Sequence, residues 1–128
     1  MFIASQSKGA FRSSAYRVSC AFLCSTLSEY ACYQFDQDIA VSKVESGKYV
    51  GTPSDAWSIK DSPNGGYIMA MAINAAKQCI DKPDPMSVTG YYVSKTDENV
   101  PMNMDVEIIG QAKSSVTAMV SCYLWIIE

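Results

Sequence analysis

The sequence contains no histidine. That removes Ser-His-Asp and Cys-His nucleophile systems, histidine metal sites and histidine general-base chemistry. Arginine is nearly as scarce: Arg12 and Arg17 are the only two. From residue 29 onward, seven lysines face all thirteen acids. An acidic body without arginine is a poor partner for nucleic acid, because phosphate neutralisation and guanine readout both favour arginine. Long apolar runs are also missing. The longest is Tyr67 to Ile73, far short of the ~20 residues that span a membrane. The five cysteines form no C-x-x-C pair and no set of four at zinc spacing, so no metal is expected. They read as free thiols in a reducing compartment, and no N-x-[ST] sequon points to secretion. What remains is a globular balance, 48% hydrophobic and 18% charged, in 128 residues, the length of one domain.

Residues 1–32 differ from the rest. Seven serines lie within residues 5–28 among Lys8, Arg12 and Arg17, with no acid before Glu29. This N-terminal extension fits a targeting segment, or a disordered tail with no chemical role. The expected location is cytoplasmic, with a mitochondrial one as the alternative that the extension allows. The folded domain is expected over 33–128.

Asp38 to Val44 and Lys48 to Thr52 flank Glu45-Ser46-Gly47 and predict a β-hairpin. A breaker cluster, Asp61 to Gly66, opens into the only strong helix pattern, Tyr67 to Ile80. Tyr67, Met71, Ala75 and Cys79 share one face at i+4 spacing, and Ile68, Ala72, Ala76 and Ile80 share the next. Asn64 is a natural N-cap, and Lys82-Pro83 a stop. The polar residues of the last two turns, Asn74, Lys77 and Gln78, are expected to reach solvent.

Three strands are expected after the helix: Met86 to Ser94, Val100 to Ile109 and Ser114 to Ile127. The second alternates apolar and polar residues. The third is apolar in both of its alternating sets, which predicts cover on both faces and so a partner subunit, another domain or the N-terminal extension. A hairpin, one buried helix and three antiparallel strands make an α+β protein. A sheet wrapped around one long central helix is the hotdog fold, and periodicity alone leaves cystatin-like layouts open.

Trp57, Pro63-Asn64-Gly65-Gly66-Tyr67, Ala75-Ala76, Pro83-Asp84-Pro85 and Tyr92, preceded by Phe35-Asp36 and Gly47-Lys48-Tyr49, carry a resemblance. Over about residues 35–128 the chain resembles the thioesterase-like superfamily. It looks most like the N-terminal half of double-hotdog acyl-CoA thioesterases. The resemblance implies a hotdog fold and an acyl-CoA or related thioester as partner. It also implies assembly, either as a homo-oligomer or by pairing with a second hotdog domain. In double-hotdog enzymes the better-known catalytic groups lie in the second half, so none is carried over to this chain.

Thioester hydrolysis needs an oxyanion site and an activated water. The start of the helix offers N–H groups and a positive dipole end at Asn64, Gly65, Gly66 and Tyr67. Alternatively, Asn-Gly-Gly only caps and packs the helix. Without histidine, a carboxylate must serve as base: Asp61, four residues before Gly65 and preferred if the loop folds back, or Asp84 before the strand that follows the helix, against a plain reading of both as solvated loop acids. Ser87 and Thr89 are candidates for orienting the water, against a plain reading as strand hydroxyls. No cofactor is called for. Two functions follow: an acyl-CoA thioesterase acting on fatty acyl thioesters, or a catalytically silent hotdog module that binds an acyl ligand or pairs with another hotdog.

Overall fold

The structure is a computed structural model that describes residues 2–7, 33–80, 82 and 84–124. Six strands form one antiparallel sheet: β1 (Phe2–Ser7), β2 (Ser42–Glu45), β3 (Lys48–Gly51), β4 (Ser87–Gly90), β5 (Met102–Gln111) and β6 (Ser115–Leu124). Their spatial order is β2-β3-β5-β6-β1-β4. Two helices accompany them, α1 (Gln34–Asp38) and α2 (Gly65–Cys79), with a 3-10 turn at Asp55–Trp57.

The expected hairpin forms as β2 and β3. Its turn contains Gly47 at φ 75°, a left-handed conformation that glycine adopts without a Cβ penalty. Asp38, expected in the first strand of that hairpin, instead ends α1. Five residues are too few to show a helical period, and α1 is held by tertiary contacts described below.

Helix α2 follows the expectation closely. Asn64 is its N-cap, and Tyr67, Ile68, Met71, Ala72, Ala75 and Ala76 are buried. They pack against the inward residues of the sheet, Met102, Met104 and Val106 on β5 and Val116, Ala118 and Val120 on β6. Met71, Ala72, Ala75, Met104 and Ala118 have no exposed surface, so helix and sheet meet without a gap along this seam. The chain turns extended at Ile80, which closes the helix. Pro83 lies outside the described residues. Two of the late polar residues bond to the main chain. Asn74 donates to Ile39 O at 2.9 Å and Gln78 to Val41 O at 3.1 Å, tying the segment before β2 to the helix.

Strand β4 is shorter than expected, because Tyr91 to Ser94 leave the ladder. It pairs with β1, not with another post-helix strand. Strand β1 lies between β4 and β6, with Phe2 opposite both Gly90 and Val120. Residues 2–7 of the expected N-terminal extension therefore pair within the sheet. Residues 8–32 lie outside the described residues, so the targeting reading has no structural counterpart here.

The outer face of the sheet carries Asn103, Asp105 and Glu107 on β5 and Thr117, Met119, Ser121 and Tyr123 on β6. Tyr123 donates from its hydroxyl to Asp105 Oδ2 at 3.1 Å. This face is more polar than the pattern of β6 predicts; Trp125 and Ile127, which carry much of that expectation, lie outside the described residues. Among the described residues, no helix is long and apolar enough to cross a membrane.

Candidate functional site

Residues 57–64 fold back on themselves. Asn64 N–H donates to Trp57 O at 2.9 Å and Ile59 N–H to Ser62 O at 2.8 Å, with a bridge between Ser58 and Pro63. This small loop delivers the Trp57 ring and the first turn of α2 to the same place. Lys60 and Asp61 stand at its tip, both at positive φ, 51° and 60°.

Three aromatic rings converge there from three distant segments. Phe35 meets Trp57 edge-on at 5.0 Å, and Tyr67 lies 6.2 Å from each. Asp38 anchors the cluster. Its Oδ2 accepts from Trp57 Nε1 at 2.7 Å, and its main-chain oxygen accepts from the Tyr67 hydroxyl at 2.8 Å. The same hydroxyl accepts from Ser54 N–H at 3.1 Å. Burial raises the Tyr67 phenol above its ordinary pKa, so it stays a neutral donor.

These groups line a cavity of about 370 Å³ that is open to solvent, formed by Phe35, Ala56, Trp57, Ser58, Ile59, Asn64, Gly66 and Tyr67. No charged side chain is among them. Ser58 Oγ is buried in this wall without a hydrogen-bond partner.

The start of α2 supplies the polar corner. Gly66 N–H is taken by Asn64 Oδ1 at 2.8 Å, and Ile68 N–H by Asn64 O at 3.1 Å. Gly65 and Tyr67 N–H have no acceptor among the described residues. Because the atom facing the Gly66 N–H must be the Asn64 oxygen, the Nδ2 amide is left to donate elsewhere. The two glycines have different surroundings. A Cβ on Gly65 would lie 3.0 Å from the Tyr92 ring, whose hydroxyl donates to Gly65 O at 2.6 Å. A Cβ on Gly66 would meet only Asn64 Oδ1, at 3.2 Å.

The expected site residues thus divide. Asn64, Gly66 and Tyr67 line the cavity, and Gly65 sits beside it under Tyr92. Asp61 does not line it; it is exposed on the tip of the loop. Ser87 and Thr89 are exposed on β4, on the face opposite Val88, which packs against the core. Phe35, Asp38 and Ser58 were not singled out as site residues from the sequence. Their meeting is a product of chain reversal between α1 and the Trp57 loop, which no local pattern encodes.

Compared with family models, residues 53–123 match the acyl-CoA thioesterase N-terminal domain. The comparison with curated proteins returns no match, and that with solved structures returns none. The matched segment takes in the Trp57 loop, all of α2, strands β4 and β5 and most of β6, which is more than half of the chain. An antiparallel sheet packed on a helix is consistent with the hotdog fold of this family. The chain belongs to the acyl-CoA thioesterase N-terminal domain family.

Proposed function

We propose that the protein binds an acyl-CoA or related thioester with its carbonyl at the start of α2, and hydrolyses it by attack of a water. In this reading α2 is the central helix around which the sheet wraps. The observation that carries it is Asn64 in the wall of a largely apolar cavity, at the positive end of a fifteen-residue helix: its Oδ1 is taken by Gly66 N–H, which leaves the Nδ2 amide to donate. A thioester oxygen gains negative charge in the transition state, and donors fixed in an apolar wall stabilise that charge at little reorganisation cost. Gly66 adds an unobstructed approach, since it presents no Cβ. The free thiols of Cys79 and Cys122 fit a reducing compartment, the cytoplasm in this reading.

A second reading has one specific observation in its favour: no carboxylate lines the cavity. The domain is then a catalytically silent hotdog that holds an acyl group. Alternatively it pairs with a second hotdog domain on a different chain, as the family's paired architecture suggests. The purified protein, incubated with acyl-CoA thioesters, distinguishes the two. Release of free CoA thiol above the uncatalysed rate supports the enzyme. Saturable acyl-CoA binding without thiol release supports the silent module, and neither binding nor release rejects both.

A further inference from the structure

We propose that the cavity takes a short, uncharged acyl group, with Trp57 as its end wall and Asp38 as the positioning residue that holds the wall. This rests on the acyl-thioester reading and names the substrate class within it.

Size gives the first support. At about 370 Å³ the open cavity is at the small end of ligand pockets and covers on the order of ten heavy atoms of an acyl group. There is no continuation beneath the helix. Met71, Ala72 and Ala75 are fully buried against the sheet, so the seam that would house a long chain is already filled. An acyl group entering past Gly66 and Asn64 meets the Trp57 ring, backed edge-on by Phe35 at 5.0 Å.

Charge gives the second. The lining has no lysine, so a carboxylate at the far end of the acyl chain would lie against apolar side chains without a counter-ion. Succinyl-type groups are disfavoured on that ground.

The third is the anchor. An indole in an apolar wall can swing about its side-chain bonds unless its N–H is held. Trp57 Nε1 is held by Asp38 Oδ2 at 2.7 Å, and Asp38 is itself held through its main-chain oxygen by the Tyr67 hydroxyl at 2.8 Å. The end wall is therefore fixed from α1 and from α2 together. Asp38 touches no part of the cavity and acts through Trp57.

The test uses the full chain and straight-chain acyl-CoA substrates of two to sixteen carbons, together with succinyl-CoA, following thiol release. The wild type should peak at about four to eight carbons and turn over succinyl-CoA at least tenfold more slowly than butanoyl-CoA. Trp57→Ala should move the peak to longer chains, raising the ratio of kcat/KM for dodecanoyl over hexanoyl by about tenfold or more. Trp57→Phe, the milder change, should move it part of the way and guards against a loss of folding in the alanine variant. Asp38→Ala should shift the profile in the same direction, and Asp38→Asn, which still accepts from the indole, should restore it. A flat chain-length profile, or an unchanged ratio in folded Trp57 variants, overturns the proposal. If the wild type hydrolyses nothing, the enzyme reading fails by itself, and calorimetric titration with hexanoyl-CoA and dodecanoyl-CoA decides this one. Tighter hexanoyl binding, reversed by Trp57→Ala, upholds it; equal affinities or no binding reject it.

Discussion

Replacing Asn64 by aspartate separates two jobs that one side chain performs. Its Oδ1 caps α2 by accepting from Gly66 N–H at 2.8 Å, and in the proposed function its Nδ2 donates to the thioester oxygen. Aspartate keeps the acceptor and loses the donor. It also brings a negative charge to a helix whose first turn carries no acid, a change worth about 0.3–1 kcal/mol in stability. Alanine removes both functions. Because Asn64 is exposed, its cap should be worth about 1 kcal/mol, and the Asn64→Ala variant should melt about 4 °C lower. Hydrolysis should fall in both variants by about 10²- to 10³-fold, the cost of losing one oxyanion donor. The assay is thermal unfolding by circular dichroism alongside thiol release, on the same preparations. The diagnostic result is an Asn64→Asp protein as stable as the wild type or more so, yet slow. If that variant hydrolyses at the wild-type rate, the amide is no donor and the oxyanion reasoning falls. If Asn64→Ala melts with the wild type, the cap carries no weight and the helix start is held by something else.

Two further outcomes follow from the geometry. Gly65→Ala should displace Tyr92 and break its 2.6 Å bond to Gly65 O, lowering the melting temperature, whereas Gly66→Ala should be neutral or stabilising, since alanine favours helix by up to ~1 kcal/mol; paired melting curves that rank the two the other way would refute this. The Cys122 thiol is pushed up to about 11 by burial, from an ordinary 9.0. A raised folded pKa means that this contribution to stability is complete below pH 9 and is lost as pH rises towards 11, by at most roughly 2–3 kcal/mol. Tyr49 and Tyr67, also raised by burial, should extend the descent above pH 10. Urea denaturation from pH 7 to 11 should therefore show a steeper alkaline loss in the wild type than in Cys122→Ala, and identical slopes would contradict the assignment.

The parts of this fold legible in the sequence are those whose pattern repeats locally. Helix α2 was legible because eight residues at i+4 spacing mark two adjacent faces, and Asn64 marks its start. Strand β5 was legible through the alternation of Met102, Met104 and Val106. The elements that differed are set by distant contacts. Helix α1 is too short to show a period and is anchored by Trp57 and Tyr67, nineteen and twenty-nine residues beyond Asp38. Strand β1 finds its partners across more than eighty residues. The site divides in the same way. Asn64, Gly66 and Tyr67 are legible as candidates because they lie on the helix start, where unpaired N–H groups are predictable, and they line the cavity. Asp61, Ser87 and Thr89 are candidates by chemical type and nearness in sequence, and the fold places them outside the cavity wall. Trp57 and Phe35 were visible only as parts of a resemblance, and Asp38 had no local signal to mark it as their anchor.

The position of β1 also shapes how the protein is made. It is translated more than eighty residues before either of its partners, since Phe2 pairs with Gly90 and Val120. Strand β1 must wait for Gly90 before its edge toward β4 is satisfied, and for Val120 before its edge toward β6 is. Sequence separations of this size slow folding, because the loop entropy is lost before the contacts form. Until then β6 and β4 each show an unpaired edge. The nascent protein therefore passes through a stage in which it is most prone to pair with another copy of itself, and expression at lower temperature or lower concentration should raise the soluble yield.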